Sequence, residues 1–385
     1  MDYFLSDEQK TIKELARRIA EERVLPVRAE LDEKEEFPWA IVRDLAAADM
    51  FRVFIPEKYE GLGGGTMELC LVVEELARVC CGVAVTYAAS ALGCITIIEY
   101  GSEKQKQKYL PAIAAGERLG AFAITEASAG SDAGNIKTTA EKVAGGYLLN
   151  GTKQFITNGG EAEIYTVIAL TDKTKGARGA SAFIVEKDTP GFTFGKKEKK
   201  LGIRASATRE LIFKNCFVPE ENLIGKPGLG FIQAMRLFDK SRPGIGAQAV
   251  GLCQGAMEAA IDYTSQRVQF GQALINMPVV QSMLADMAIL TEASRALVYA
   301  AARHVDSGAK NVTEESAAAK VFASDAAMKI TVDAVQLCGG TGYMRDYPVE
   351  KMMRDAKILQ IYEGSNQVLR GAVAANLRKR KGRTA

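Results

Sequence analysis

The chain has 385 residues, 48% of them hydrophobic, with 49 basic against 47 acidic side chains and a formal net charge of +2. That length predicts about two or three domains around a large buried core. The even charge balance offers no bulk attraction to nucleic acid or to a membrane surface, and no apolar run reads as long enough for membrane insertion.

Residues 6–26 place Ile12, Leu15, Ala16, Ile19 and Leu25 at helical spacing, and Ser6 with Gln9 has the form of a capping box. Helical patterns recur over 39–48, 66–79 and 102–115. Gly61-Leu62-Gly63-Gly64-Gly65 reads as a turn between two of them, possible neighbour to a ligand but not a dinucleotide fingerprint, because Thr66 stands where a third glycine is needed. The pattern changes near Leu119 to alternation and β-branched residues over 121–125, 147–150, 165–171, 180–186 and 210–213, separated by turn signals such as Thr189-Pro190-Gly191. Helical periodicity returns after Gly230, over 231–267, 279–306, 313–337 and 368–377. Long helices of this kind predict a bundle. The expected division is an N-terminal helical domain (1–118), a β-domain (119–230) and a C-terminal helical bundle (231–385), an α+β class with α–β–α order. Gly244-Ile245-Gly246-Ala247-Gln248-Ala249 matches a Rossmann string but lies inside a helical pattern with no strand before it, so its small residues predict close helix packing instead.

The seven cysteines are odd in number and lack C-x-x-C spacing, which argues against a disulfide framework or a zinc site and for buried thiols in a reducing, cytoplasmic compartment. Charged Asp2 and Asp7 with no apolar stretch behind them predict no N-terminal signal, and the basic run 378–383 reads as a frayed, solvated tail. The single histidine, His304, reads as exposed near a helix end. His-rich metal sites are thereby excluded, the setting of His304 argues against a Ser-His-Asp triad, no metal is expected, and proton chemistry falls to Glu, Asp, Lys, Tyr or Cys.

The most informative stretch is Arg354-Asp355-Ala356-Lys357-Ile358-Leu359-Gln360-Ile361-Tyr362-Glu363-Gly364-Ser365-Asn366-Gln367. It sets one carboxylate in mostly apolar company, directly before a glycine. A carboxylate taken out of water becomes a stronger base, and the glycine allows close approach. Taken alone, the segment also reads as a helix start with Glu363 solvated.

Together with Phe122-Ala123-Ile124-Thr125-Glu126, Gly130-Ser131-Asp132, Phe155-Ile156-Thr157-Asn158-Gly159-Gly160, Arg267-Val268-Gln269-Phe270-Gly271 and Gln336-Leu337-Cys338-Gly339-Gly340, this stretch resembles the acyl-CoA dehydrogenases, short- and medium-chain branch. The motifs stand in the family's order and spacing, and the resemblance runs from Leu5 to Ala375. It implies a helical, β-sheet, four-helix-bundle architecture and bound FAD. It also implies an acyl-CoA thioester substrate, electron-transfer flavoprotein as acceptor, and a homo-oligomer that is commonly a dimer of dimers.

By the same resemblance, Glu363 is the base that removes the C2 proton while the C3 hydride goes to flavin N5. Thr125 and Thr157 correspond to hydroxyls on the isoalloxazine ring, although each also fits an ordinary strand threonine. Phe155 stands where many relatives carry Trp against the flavin, and Phe122 where some carry Tyr. Ser131 matches a contact to CoA or the flavin phosphates. Arg267, Phe270, Gln336 and Gly340 match residues reaching the FAD of a neighbouring subunit, and Ser365 and Gln367 match positions near its adenosine. Pro278 departs from the Gln common among relatives, with Gln281 one turn on as a substitute. Asp239, Arg242, Tyr362 and Gly364 fall to the substrate side, with Arg242 equally suited to an ion pair with a neighbouring acid. Ser241 occupies the position where some relatives carry the base instead, which favours Glu363. The acyl pocket is expected along 79–93, with Tyr87 closing its end. Small side chains there suggest short-to-medium, branched or alicyclic acyl groups. The competing readings are a flavin oxidase on the same fold and a non-catalytic acyl-CoA-binding relative.

Overall fold

The computed structural model describes residues 3–381, with side chains as far as Arg378. The basic tail from Lys379 onward and Asp2 lie outside the described side chains.

Helix α1 (Asp7–Ile19) opens on the capping box its sequence announces: Ser6 Oγ accepts from Gln9 N and Gln9 Oε1 from Ser6 N, both at 3.1 Å. After a π turn (Ala20–Val24) come α2 (Arg28–Glu33), α3 (Trp39–Ala47), α4 (Thr66–Val79), α5 (Cys81–Tyr100) and α6 (Glu103–Ala114). The Gly61–Gly65 loop delivers α4 to the Asp306 carboxylate, which accepts from Thr66 N at 2.7 Å and Met67 N at 2.8 Å. That supplies the cap which Gly65, lacking a side chain, cannot.

Helix α5 corrects the sequence reading on membranes. At 20 residues, with an 18-residue window of mean hydropathy 1.9, it is long and apolar enough to cross a bilayer, but 78% of that window is buried inside the protein. It packs against α4, α6 and strands β1 (Gly120–Ala123) and β4 (Ile164–Leu170). A helix that is apolar on its cleft side as well as on its packed sides has no polar stripe and hence no helical periodicity to detect.

The remaining strands are β2 (Thr139–Val143), β3 (Gly146–Thr157), β5 (Ala180–Glu186), β6 (Phe192–Lys197), β7 (Thr208–Pro219) and β8 (Leu223–Ile224). They run in the order β6-β7-β3-β2-β4-β5-β8, with β1 pairing parallel to β4. Strands β3 and β7 extend well past the expected segments, and their pairing shifts register twice, once between Lys153 and Ile156. That bulge places Phe155 at φ +58° and turns its ring out of the sheet.

Helix α7 (Gly230–Gln266) follows, then a short hairpin of β9 (Val268–Gln269) and β10 (Gln272–Ala273), then α8 (Pro278–Asp306), α9 (Thr313–Gly342), α10 (Val349–Leu359) and α11 (Asn366–Lys381). Helix α10 went undetected in the sequence. The glycines of α7 serve helix contact, as expected: a Cβ on Gly246 would lie 2.6 Å from Val298, and one on Gly251 2.2 Å from the Glu74 carbonyl. A buried ionic cluster adds to the seam. Glu74 accepts from Lys13 and Arg295 at 3.0 Å and from Tyr299 at 2.8 Å, joining α1, α4 and α8. All seven cysteines are free and buried. His304 lies in the last turn of α8, partly buried rather than exposed.

Candidate active site

A cleft of about 150 Å³ opens where α5, the β1 and β3 edge, α7 and the turn after α10 converge. Helix α7 presents Phe238, Ser241, Ile245 and Gln248, spaced at 3–4 residues and so on one face. Helix α5 presents Val85, Ala88, Ala89, Leu92 and Ile95. The sheet presents Phe122, Ile124, Thr125, Phe155, Ile156 and Thr157, and the turn presents Tyr362 and Glu363. Five distant sequence motifs thus meet at one cavity.

Glu363 stands in a left-handed backbone conformation at φ +52°, followed by Gly364 at φ +102°. A non-glycine residue there carries strain of about 1–3 kcal/mol, which the surroundings must offset. Four groups hold it. Ser241 Oγ donates to the Glu363 carboxylate at 2.6 Å, and Arg242 Nε to the Glu363 carbonyl at 3.2 Å. Lys320 Nζ donates to the Gly364 carbonyl at 2.7 Å and to Asn366 Oδ1 at 2.9 Å. Asn366 Nδ2 in turn donates to Ser324 Oγ and Asp325 Oδ1, both at 2.8 Å. Arg242 also pairs with Asp239 at 2.6 Å, the neighbouring acid of the ion-pair expectation. Thr313 Oγ1 fixes the other Asp239 oxygen at 2.6 Å. Helix α10, which delivers the turn, is tied to the rest of the chain by Arg354 on Asp32 at 2.7 Å and by Asp355, which accepts from Ile203 N at 2.5 Å.

Burial raises the Glu363 pKa above the ordinary carboxylate value, and the Ser241 hydrogen bond, then Arg242 and Lys320, oppose the rise. Desolvation strengthens the base while the donors keep it ionised. Tyr362 Oη donates to Gln248 Oε1, fixing the ring beside the carboxylate.

The opposite wall has its own support. Lys153 is fully buried and donates to Glu126 Oε1 at 2.7 Å and to the Ile124 carbonyl at 3.1 Å. Glu126 also accepts from Thr138 N at 3.1 Å. This pair locks Ile124-Thr125-Glu126 against β3. Burial lowers Lys153 to a pKa of about 8 despite Glu126. The hydroxyls of Thr125 and Thr157 on this wall have no hydrogen-bond partner among the described residues, and the Phe155 ring is 59% exposed. Two unpaired hydroxyls beside an open aromatic face suit a flat heteroaromatic cofactor such as the flavin of FAD.

Not every expected residue reaches the cleft. Tyr87 is a correction: it is completely buried, donates to the Met50 carbonyl at 2.8 Å, and packs on Phe51 and Phe54. It sits on the α5 face opposite the cleft, where the aromatic core claims it. Ser131 lies exposed in the loop after β1. Arg267, Phe270, Gln336 and Gly340 are exposed, Phe270 to 94%, and Gly339 breaks α9 at φ +57°. Ser365 is partly buried, its Oγ accepting from Val368 N at 3.4 Å, while Gln367 and Gln281 are exposed and Pro278 heads α8. Sequence reasoning missed Lys320, Lys153 and Asn366. The signal for Lys320 was a lone cation among Ala317-Ala318-Ala319 and Val321-Phe322-Ala323.

Comparison with known proteins agrees in chain order. The family description "Acyl-CoA dehydrogenase, N-terminal domain" matches residues 6–117, the middle domain 121–216 and the C-terminal domain 228–378. A probable acyl-CoA dehydrogenase of Mycobacterium tuberculosis, FadE25, is 48% identical over 366 residues, covering 95% of this chain and 94% of that one. Butyryl-CoA dehydrogenase from Megasphaera elsdenii superimposes with a TM-score of 0.95 at 44% identity, over 98% of this chain and 100% of that chain. A chain solved in the structure of the electron-transferring flavoprotein of Acidaminococcus fermentans gives 0.96 at 46% identity, over 98% and 99%.

Proposed function

This chain belongs to the acyl-CoA dehydrogenase family, and on that premise we propose how its cleft performs FAD-dependent dehydrogenation. Bound FAD supplies the hydride acceptor. The Glu363 carboxylate takes the C2 proton of an acyl-CoA thioester; the C2–H electron pair becomes the C2=C3 bond as C3 releases hydride, leaving a 2,3-enoyl-CoA. Ser241 orients the carboxylate, and Arg242, held by Asp239, fixes the carbonyl of the same residue. The Glu363 N–H, in the left-handed turn, serves as donor to the thioester oxygen where negative charge develops. Thr125, Thr157 and Phe155 form the flavin wall, with Phe122 beside it, while Tyr362 and Gly364 border the substrate. Exposed Arg267, Phe270, Gln336 and Gly340, with Ser131, Ser365 and Gln367, serve the outlying parts of FAD and CoA. Completion of that outer site by a second copy makes the working enzyme at least a dimer.

The observation that carries this reading is the Glu363 carboxylate in a cleft whose facing wall holds two unpaired threonine hydroxyls. Phe122 and Phe238, with ring centroids 5.6 Å apart, narrow the cleft and favour a short acyl chain. Butyryl-CoA dehydrogenase among the relatives supports the same substrate class, and the likeness to the chain solved with electron-transferring flavoprotein supports that protein as electron acceptor. Seven free cysteines fit a cytoplasmic setting.

Anaerobic bleaching of bound flavin by a panel from butyryl to octanoyl and glutaryl thioesters tests the reading. Butyryl-CoA is expected to bleach the wild type fastest, and Glu363→Gln to bind it without bleaching. A Glu363→Gln enzyme that still bleaches removes the base assignment. Rapid oxygen consumption during turnover would instead indicate an oxidase.

A further inference from the structure

The catalytic turn is held from behind by a residue that touches neither the cleft nor any ligand position. Lys320 sits on α9, completely buried, in an alanine-rich face. Among the described residues its ammonium donates to two acceptors, the Gly364 carbonyl at 2.7 Å and Asn366 Oδ1 at 2.9 Å. The Glu363 carbonyl one residue earlier is taken by Arg242 Nε at 3.2 Å. Both carbonyls of two consecutive left-handed residues are therefore held by cations, from two different helices. Neither carbonyl is used by a helix, because α10 ends at Leu359 and α11 begins only at Asn366.

A buried cation is costly unless its environment repays it. Here the charged groups facing Lys320 are Glu363 and Asp325, which favour its charge, and Arg242, which opposes it; burial dominates and lowers its pKa to about 8. Asp325 is itself engaged by Arg370 and by Asn366 and Gln360. A neutral residue would close the helix contact at lower cost. The lysine makes physical sense as a device that fixes the turn and biases the carboxylate.

We propose that Lys320 is a positioning residue for the reaction: its ammonium, acting with Arg242, pins the left-handed Glu363–Gly364 turn so that the Glu363 carboxylate stays aimed into the cleft and ionised. The proposal rests on Glu363 being the base.

Lys320→Met in the FAD-loaded enzyme removes both the pin and the charge while keeping the aliphatic stem. Misplacing a reacting group by about 1 Å can cost on the order of 100-fold, so kcat is expected to fall roughly 10- to 100-fold, with acyl-CoA dissociation constants changing less than about threefold. The acidic limb of the kcat–pH profile moves upward, because Glu363 loses a cation that stabilised its ionised form. The Glu363 carboxyl band in pH-difference infrared spectra, isolated by subtracting the Glu363→Gln spectrum, moves the same way without turnover. Lys320→Arg partly restores both. A folded Lys320→Met enzyme with wild-type kcat and pH limb overturns the proposal. So does a loss of kcat matched by an equal loss of substrate binding. If Lys320→Met does not fold, Lys320→Gln keeps a donor for the Gly364 carbonyl without the charge; an unmoved pH limb and infrared band in that variant is equally fatal. Glu363→Gln measured alongside separates the two failures. If it still bleaches, the base assignment falls; if it is inert while Lys320→Met is unaffected, only the role of Lys320 falls.

Discussion

Glu363 and Phe270 share nearly the same backbone, φ +52° and φ +53°, in opposite surroundings. The first is gripped by Ser241 and Arg242, with Lys320 on the next carbonyl. The second projects from the β9–β10 hairpin, 94% exposed, before a glycine that a Cβ would leave in open space. Strain at Glu363 is balanced within one chain. At Phe270 the positive φ, followed by Gly271 at φ +79°, belongs to the two-residue turn of a paired hairpin, and the ring it carries is left in the open. Phe155 is intermediate: φ +58° and 59% exposed, but on a strand pinned by the buried Lys153–Glu126 pair. The Glu363 turn is held by groups of its own chain; the Phe270 hairpin leaves its ring exposed.

Four substitutions would break or sharpen that contrast. Glu363→Gln should abolish the chemical step by on the order of 10⁴-fold, the upper range for a general base, with thioester binding retained; single-turnover bleaching measures it. Lys153→Met leaves Glu126 buried and unpaired, and loss of one partner of such a pair costs about 3–5 kcal/mol. Urea unfolding should show a loss of that size, and a loss well below 1 kcal/mol would mean the wall beneath Phe155 is not held by this pair. Ser241→Ala removes a hydrogen bond to a charged group, worth about 1.5–3 kcal/mol, so the acidic limb of the kcat profile should climb by roughly one to two pH units. The direction follows from burial having raised the folded Glu363 pKa already. Activity needs the ionised form and fades as pH falls through that value. Stability has the opposite sense: the folded chain holds this proton more tightly than the unfolded one, so the contribution is present below the unfolded carboxylate range and is lost as pH rises through the folded pKa. Phe270→Gly should change the stability of the isolated chain least, with a gain of up to about 1 kcal/mol from the relieved backbone. FAD retention and self-association should nonetheless fall. Unchanged FAD retention would show the hairpin to be mere surface, and the contrast would dissolve.

The parts of this molecule legible in sequence were those with a local signature. The Ser6–Gln9 box, the strand Ala180–Glu186 and the carboxylate before Gly364 each announce themselves within a few residues. The missed parts depend on what lies opposite. Helix α5 lacks a polar face because its cleft side is as apolar as its packed sides. Tyr87 went to the wrong compartment because a uniformly apolar helix does not say which side meets the cleft. Lys320 and Lys153 act through carbonyls far away in sequence, Gly364 and Ile124, and backbone acceptors leave no trace in residue type.

Helix α5 also bears on how the protein is made. Its packing partner α7 ends at Gln266, some way down the chain. At about 5–20 residues per second of synthesis, roughly 10–30 s separate the translation of α5 from the completion of α7. During that interval a rod of membrane-like hydropathy stands without its eventual cover, and the nascent chain offers chaperones and targeting factors a segment that the finished enzyme hides.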